Sequence, residues 1–471
     1  MNGHTTSAGK TMLLAGAVLL LATLPAAARP AGTAADWPRF GYDTARRGSS
    51  PPSGITARNA ATLVRQRVSL DGTVDSAPIY LHDVDVGGAT HDVFVVTTTY
   101  GRTEAIDATN GRVLWRFAPS SYGRLAGSAQ ITNATPVAST DRRAVYAAAP
   151  DGRIRKLRLT DGKALWTTSI TRDPTHEKIT SSLNVSRGLV IAATGGYIGD
   201  APPYQGHVVT IAEATGRIRH VWNSLCSDRR ALIVPRTCDS SDSAIWSRNG
   251  AAVDPANGTL VVATGNGPWN GRTDWGDSVL VLSPDASRLV GHWTPTDQKQ
   301  LEESDADLGS TSPALLQDGY VVQGGKDAKL RLLRLHSLAG VTDKLGGELQ
   351  TVATPGGVGL FSEPAVWNGT WMFVATDSGT AAWRLRGGRL HEAWSNGHGG
   401  TSPAVSGGLV FVAGDGNVRV YTATSGRLVA SLPFGTLHWQ SPIVADGRIA
   451  VAEGNANSHS TSGTLDIYRL P

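Results

Sequence analysis

The segments Ala105-Ile-Asp-Ala-Thr-Asn-Gly-Arg-Val-Leu-Trp115 and Leu157-Arg-Leu-Thr-Asp-Gly-Lys-Ala-Leu-Trp166 repeat one phrase. In each, an apolar run reaches a turn that contains glycine, and a tryptophan follows a few residues later. Looser copies end at Trp222, Trp293, Trp394 and Leu432. Because a strand–turn–strand unit of this size cannot bury its own apolar face, its copies must stack on one another. The phrase therefore predicts a repeat architecture built from β-strands.

A second marker alternates with the first: a small residue and a proline that lead into an apolar strand. Proline suits the beginning of a strand, where its missing N–H costs no ladder hydrogen bond. The instances are Ser76-Ala-Pro78, Ala134-Thr-Pro136, Thr311-Ser-Pro313, Ser362-Glu-Pro364, Thr401-Ser-Pro403 and Gln440-Ser-Pro442. Two further units begin near Ser181 and Asn249 without the proline. The markers therefore define eight units, starting near residues 76, 134, 181, 249, 310, 362, 401 and 440.

Eight units with about four short strands each predict an all-β fold, an eight-bladed β-propeller of four-stranded antiparallel blades. The eighth unit ends at Leu465–Leu470 without a final strand, which Leu63–Leu70 can supply. Strands from both termini would then close the ring and remove its free edge. A stack of open sheets is the alternative. We expect the propeller to span residues 63–471, after a Pro/Gly-rich arm at residues 29–62 that lies across one face.

The N-terminal sequence is typical of an export signal. Lys10 precedes the apolar stretch Met12–Leu24, and Ala26-Ala-Ala28 offers small residues for cleavage, so residues 1–28 are predicted to be a signal peptide. An uncleaved anchor helix is the alternative. We expect a secreted or extracytoplasmic protein with no membrane span after signal cleavage. With a formal charge of only +4 and no Lys/Arg run, nucleic acid is not an expected partner.

The two cysteines, Cys226 and Cys238, most simply form a disulfide in an exported chain. A metal site would require further Cys or His residues close by in the sequence. No Cys-x-x-Cys-His motif is present, so no covalently bound haem is encoded. Any electrons would have to leave through a separate carrier.

The repeat phrase, its tryptophans and the blade number over residues 63–470 resemble the PQQ-type propellers. That superfamily contains pyrroloquinoline-quinone (PQQ) alcohol dehydrogenases and also catalytically silent scaffold propellers. The resemblance implies a possible PQQ cofactor with Ca²⁺, and a small-molecule alcohol and an electron acceptor as partners. The alternative that it leaves open is a non-enzymatic scaffold that binds protein or polymer at the cell surface. A hydrolase is disfavoured because Gly-x-Ser-x-Gly is absent.

The segment Val262-Ala-Thr-Gly-Asn-Gly-Pro-Trp-Asn270, with Gly276-Asp277 after it, resembles the dehydrogenase segment around the calcium-binding asparagine. The match assigns a metal-ligand and cofactor-binding role to Asn266. A hard cation such as Ca²⁺ takes oxygen ligands, and an amide oxygen serves. The alternative is a tight turn at Gly265-Asn-Gly267, where these residue types are common.

Further along, Thr294-Pro295 leads into an acidic segment, as in the dehydrogenases before their proposed general base. The resemblance assigns the base to Asp307, with Asp305 as the second candidate. A carboxylate beside the cofactor is chemically required, because a base must take the hydroxyl proton of an alcohol. The alternative is a solvated acidic loop, since residues 302–307 hold four carboxylates.

Two more residues complete the candidate cofactor site. Lys326 matches the cation that contacts the quinone oxygens, and Trp246 could supply the indole on which a flat ring stacks. Two features depart from the dehydrogenase pattern. The adjacent cysteine pair is missing, and the segment 189–206 lacks the calcium-binding glutamate, which leaves Asp200 as its only carboxylate and a candidate metal ligand.

Overall fold

The computed structural model describes residues 1–4, 36–197, 201–338 and 340–471. The chain divides into two units, Met1–Ala31 and Gly32–Pro471, and the described strands all belong to the second. Most of the predicted signal peptide, from residue 5 onward, lies outside the described residues. Within the described ranges, no helix is long and apolar enough to cross a membrane.

The second unit is the predicted eight-bladed β-propeller. Each blade is a four-stranded antiparallel sheet whose neighbouring strands follow one another along the chain. Blade 1 contains Ile79–Val86, Ala89–Thr97, Thr103–Asp107 and Val113–Phe117, and blade 2 contains Val137–Ala138, Ala144–Ala149, Arg153–Arg158 and Ala164–Ser169. Blade 3 contains Asn184–Ser186, Leu189–Ala193, His207–Ala212 and Ile218–Asn223, and blade 4 contains Ala252–Val253, Leu260–Ala263, Val279–Leu282 and Leu289–Trp293.

Blades 5 to 8 repeat the same order, and only blade 8 takes its fourth strand from the N-terminal side. Blade 5 contains Ala314–Leu315, Tyr320–Gln323, Lys329–Arg334 and Gln350–Ala353, and blade 6 contains Ala365–Trp367, Trp371–Thr376, Gly379–Arg386 and Arg389–Asn396. Blade 7 contains Ala404–Ser406, Leu409–Gly414, Asn417–Thr422 and Leu428–Pro433, and blade 8 contains Ile443–Ala445, Arg448–Glu453, Gly463–Arg469 and Val64–Leu70. Two short α-helices, Tyr122–Leu125 and Gln298–Glu303, lie in links between blades.

Short elements complete the described chain. Ser49–Ser50 adds a parallel strand to blade 7, and Glu177–Lys178 pairs with Gly195–Gly196 outside the blades. Single turns of 3₁₀ helix lie at Ala60–Thr62, Pro235–Thr237, Leu308–Ser310, Gln317–Gly319, Leu335–Ser337, Pro355–Gly357 and Ala456–Ser458.

The predicted closure of the ring is confirmed. Val64–Leu70 pairs antiparallel with Gly463–Arg469 over its whole length. Arg65 fastens this strand by donating to both carboxylate oxygens of the buried Asp466, at 3.0 and 2.7 Å, and to Glu453 at 2.6 Å. A bidentate guanidinium–carboxylate pair is among the stronger side-chain contacts, so it holds the N-terminal strand in register.

First strands of neighbouring blades contact one another, which places them around the axis. One face of the ring, here called the upper face, therefore carries the links that enter each first strand. It also carries the links that join each second strand to the third. The other turns form the lower face. Residues just before each first strand are brought together above the axis.

The N-terminal arm, residues 36–62, runs inside the ring along the free inner edges of the first strands. Its backbone carbonyls accept hydrogen bonds from N–H groups of successive blades: Pro38 from Ala138, Thr44 from Val253, Arg47 from Val366, Gly48 from Val405 and Ser53 from Gly447. Trp37 and Tyr80 exchange two such bonds in blade 1. The arm thus visits the blades in order and satisfies edges that would otherwise be open.

The arm also fills the lower end of the ring with side chains. Arg46 is 2% exposed and donates to the carbonyls of Phe40, Ser182 and Leu183 at 2.6–2.9 Å. Phe40 is equally buried in a core cluster with the inner strands. The lower end is therefore closed by the chain's own N-terminal segment.

The repeated phrase forms the contact between neighbouring blades. Trp115 of blade 1 donates its indole N–H to the carbonyl of Leu159 at 2.6 Å and lies on Gly162 of blade 2. A Cβ at Gly162 would be 2.6 Å from the Trp115 ring, so only glycine fits. The same arrangement recurs for Trp166 with Glu213 and Gly216, and for Trp394 with Ala423 and Gly426. Each glycine in these turns receives the tryptophan of the preceding blade.

Substituting Gly162→Ala tests this contact, with Gly88→Ala as the matched control. Both glycines have a positive φ, +72° and +84°, but a Cβ at Gly88 meets nothing within 4 Å. Both variants therefore carry the same backbone strain, and only Gly162→Ala displaces an indole. We expect Gly162→Ala to lose about 1–3 kcal/mol more of the free energy of unfolding than the control, measured by denaturant titration. Equal losses would show that Trp115 can move aside freely.

Candidate functional site

Three aromatic side chains meet above the axis on the upper face. Trp246 precedes blade 4, Trp439 precedes blade 8, and their ring centroids are 6.3 Å apart. Blades 4 and 8 stand opposite each other in a ring of eight, so this pair spans the axis. Phe361, before blade 6, lies 6.3 Å from Trp246. We call the space around these three rings the upper funnel.

Asp307 lies at the side of the upper funnel and is held from two directions. Its Oδ1 accepts the backbone N–H of Asn266 at 2.5 Å, and its Oδ2 lies 2.5 Å from Nζ of Lys326. Gly265 permits the close approach, because a Cβ there would be 2.4 Å from Oδ1 of Asp307 and 3.4 Å from Nε1 of Trp246. The structure therefore brings together Asn266, Asp307, Lys326 and Trp246.

Lys326 connects the carboxylates to the aromatic rings. Its ammonium lies 5.6 Å from the Trp246 centroid and donates to Asp305 at 2.8 Å. Burial acts to lower the pKa of Lys326, but Asp307 and Asp305 outweigh it and raise the pKa. Burial raises the pKa of Asp307, although Lys326 and the Asn266 N–H oppose the rise. Lys326 is therefore a permanent cation beside a carboxyl whose proton affinity is increased.

The two candidate bases differ in their surroundings. The side chain of Asp307 is 6% exposed, whereas that of Asp305 is 61% exposed. Asp305 therefore fits the alternative of a solvated acidic loop, while Asp307 is directed into the protein. Behind Asp307, burial raises the pKa of Asp277 well above its usual range.

Few described donors surround Asn266 in a way that suits a metal ion. Both oxygens of Asp307 are engaged, burial raises the pKa of Asp277, and Asp200 lies outside the described residues. Glu177, which sequence reasoning missed, lies across from Gly196 in the paired segment, but its carboxylate is 2.6 Å from Nε2 of His207. In the described chain, the group of acidic and histidine side chains that could hold an ion is His82, Asp92 and Asp446, and Asp92 and Asp446 already pair with Arg448.

Two buried cations in the upper funnel were also missed. Lys178 and Arg248 are 5% and 2% exposed, and Arg248 stacks on Trp439 at 3.9 Å from its centroid. Burial and the nearby Arg248 charge lower the pKa of Lys178 to about 7, against the opposing effect of Asp75. Burial also lowers the pKa of Arg248 to about 10. Strongly shifted groups in a concave site are typical of function.

The predicted disulfide is confirmed, since Cys226 and Cys238 are bonded with a sequence separation of 12. It closes a loop in the link between blades 3 and 4, which continues to Trp246 and Arg248. Asn223 donates to the carbonyls of Arg229 and Ala231 within this loop. The disulfide therefore constrains the segment that delivers two funnel side chains.

Lys178→Met tests whether the buried ammonium opposes folding. The pKa of Lys178 is lowered on folding, so the unfolded chain binds more protons between about pH 7 and 10, and stability should rise with pH across that window. The variant should be more stable than the wild type by about 4 kcal/mol at pH 7, with a smaller difference near pH 10. Thermal unfolding at several pH values measures this. Lys163→Met, whose ammonium is exposed, should change little, and a pH-independent gain for Lys178→Met would contradict the assignment.

Comparison with known proteins places the fold. A family profile described as outer membrane protein assembly factor BamB matches residues 55–259 and 360–464, together more than half of the chain. The quinohemoprotein alcohol dehydrogenase ADH IIB of Pseudomonas putida is 26% identical over 288 residues, which cover 55% of this chain and 40% of that protein. The chain spans about two fifths of the length of the curated relatives it matches first.

Two solved structures show the same fold at lower identity. A europium-containing methanol dehydrogenase aligns with a TM-score of 0.68 and 15% identity over 92% of this chain and 98% of that chain. BamB from Moraxella catarrhalis aligns with a TM-score of 0.53 and 12% identity over 86% and 98%. The fold is thus shared by a methanol dehydrogenase and by BamB.

Proposed function

We propose that this chain binds PQQ in the upper funnel and oxidises an alcohol. The chain belongs to the family of PQQ-type propellers described as outer membrane protein assembly factor BamB. The observation that carries the proposal is the convergence of Asp307, Lys326 and Trp246 on one side of the axis. The relatives named as quinone-dependent alcohol dehydrogenases support it.

The side chains of the upper funnel offer the chemistry that a flat, acidic quinone requires. Trp246 and Trp439 offer aromatic faces for stacking, and both terminal nitrogens of Arg248 are buried without a hydrogen-bond partner in the described chain. Orphaned buried donors are costly unless a ligand completes them. Trp246 would support the ring, and Lys326 would lie at its oxygens.

The chain's own groups would handle the proton of the alcohol. When bound, PQQ supplies the acceptor for the hydride that leaves the carbinol carbon. The Asp307 carboxylate would accept the hydroxyl proton, and its raised pKa makes it a better base than an exposed aspartate. The Lys326 ammonium would remain protonated and stabilise negative charge that develops nearby.

The described residues do not form a cation shell around Asn266, so we derive no step through calcium. The side-chain amide of Asn266 makes no hydrogen bond within the described chain, although its backbone N–H donates to Asp307. The carboxylate that would be nearest to it, Asp307, is neutralised by Lys326.

We further propose that the protein works outside the cytoplasm. The support is the signal-like sequence at residues 1–28 and the Cys226–Cys238 disulfide, since such bonds persist in oxidising compartments. An alcohol would be the substrate, and a separate carrier would take the electrons. The second candidate function is a scaffold that binds protein or polymer at the cell surface, which the BamB-like fold supports.

Reconstitution separates the two candidate functions. Purified protein is titrated with PQQ, with and without Ca²⁺, while tryptophan fluorescence reports binding and a dye-linked assay reports alcohol oxidation. We expect quenching of Trp246 and Trp439 at micromolar PQQ, and dye reduction with short primary alcohols. Absence of binding would remove the enzyme hypothesis and favour the scaffold.

Asp307→Asn and Asp305→Asn form a matched pair for the base. Asp307→Asn should lower the rate of oxidation by about a hundredfold or more, because general-base catalysis contributes that much, while PQQ binding persists. Asp305→Asn removes an exposed carboxylate and should alter the rate by only a few-fold. Equal rates for the two variants would show that Asp307 is not the base.

A further inference from the structure

We infer that Lys178 and Arg248 form an anion-binding end of the upper funnel, which receives a carboxylate group carried by a flat aromatic ligand. The inference rests on the proposed function for the identity of that ligand as PQQ. Neither residue lies in the segments 262–277, 294–307 and 321–334 that carry the resemblance to the dehydrogenase site.

Arg248 carries hydrogen-bond donors for which the described chain supplies no acceptor. It is 2% exposed, and both Nη1 and Nη2 lack a hydrogen-bond partner among the described residues. Its planar face is covered by Trp439 at 3.9 Å, so a carboxylate would have to approach the edge that carries its N–H groups. The guanidinium fork matches the two oxygens of a carboxylate.

Lys178 places a second cation in the same region. It lies in the short strand paired with Gly195, where a Cβ would be 3.0 Å from Cβ of Trp246. Its ammonium forms no hydrogen bond or ion pair within the part of the chain that the structure describes. Lys178 and Arg248 interact through their charges, and each is buried away from bulk water.

The acidic groups near these cations are already occupied. Asp75 accepts from Asn133, from the N–H groups of Trp439 and Ala456 at 3.1 and 3.0 Å, and lies 2.6 Å from Nδ1 of His438.

Glu363, the other carboxyl facing Arg248, accepts from the N–H groups of Asn249 and Ser312 at 3.0 and 2.9 Å, and from Thr311. Burial raises the pKa of Glu363, although the N–H groups of Asn249 and Ser312 oppose the rise. No described group accepts a hydrogen bond from Nη1 or Nη2 of Arg248, so a bound anion would complete the site.

The aromatic neighbours restrict the kind of anion. Trp246 lies beside the Lys178 strand and Trp439 beneath Arg248, so a carboxylate bound here has indole faces next to it. A planar ring that bears carboxylates satisfies the cations and the aromatic rings together. PQQ carries three carboxylates on a flat ring system.

Equilibrium binding to the full chain tests the site with three probes: PQQ, its trimethyl ester, and pyridine-2,6-dicarboxylate. Tryptophan fluorescence measures Kd in each case, without any catalytic assay. We expect the wild type to bind PQQ at least about tenfold more tightly than the ester, as loss of a charged hydrogen-bond partner predicts. Lys178→Met and Arg248→Gln should each weaken PQQ binding by about tenfold and leave ester binding unchanged.

Lys163→Met is the control variant, because its ammonium is exposed on the outside of blade 2, and it should bind like the wild type. Thermal unfolding checks that each variant is folded; if Arg248→Gln is not, Lys178→Met alone decides.

The outcomes separate this inference from the proposed function. Tight PQQ binding that is equal for the ester and for the variants would overturn the anion site and leave the quinone function standing. Failure of PQQ to bind, with dicarboxylate binding that depends on Lys178, would remove the quinone function and retain the anion site. If no probe binds the wild type, both are wrong.

Discussion

The contact on which the ring depends is an indole placed on a glycine of the next blade. Trp115, Trp166 and Trp394 each donate to a backbone carbonyl three residues before the glycine that they cover. The indole supplies a large apolar surface and one hydrogen bond, so it fixes both the distance and the rotation between neighbours. Repetition of this contact determines the curvature that brings the eighth blade back to the first.

The fold could be predicted because this contact leaves its trace in the sequence as Gly and Trp at fixed spacing. The copies that end at Trp222 and Trp293 depart from the repeated phrase because their contacts with the next blade differ. Trp222 packs with Ala286, which has the positive φ (+59°) that glycine has in the other turns. The indole N–H of Trp293 has no hydrogen-bond partner in the described chain. At the seam, Gly111 receives Gln66 and Val68 of the N-terminal strand instead of an indole.

The site could be predicted only in part. Asn266, Asp307, Lys326 and Trp246 could be proposed from the sequence because they resemble positions in the dehydrogenases, and the structure brings them close together. Lys178, Arg248 and Trp439 were missed, because single residues far apart in sequence carry no motif. A signal was nevertheless present: the links that enter the first strands all converge on the axis. Charged and aromatic residues just before the unit starts, such as Asp75 and Trp439, are therefore candidates in any chain of this kind.

The N-terminal arm gives the ring a polarity that the blades alone do not have. Because Phe40 and Arg46 fill the lower end, the centre of the ring can be reached from the upper face but not from the lower face. Whatever enters between Trp246 and Trp439 must leave through the same mouth, so an incoming molecule and an outgoing one compete for a single path. If the proposed ligand binds here, substrate entry and product exit would both take place on the upper face, past the links that carry Trp246 and Trp439.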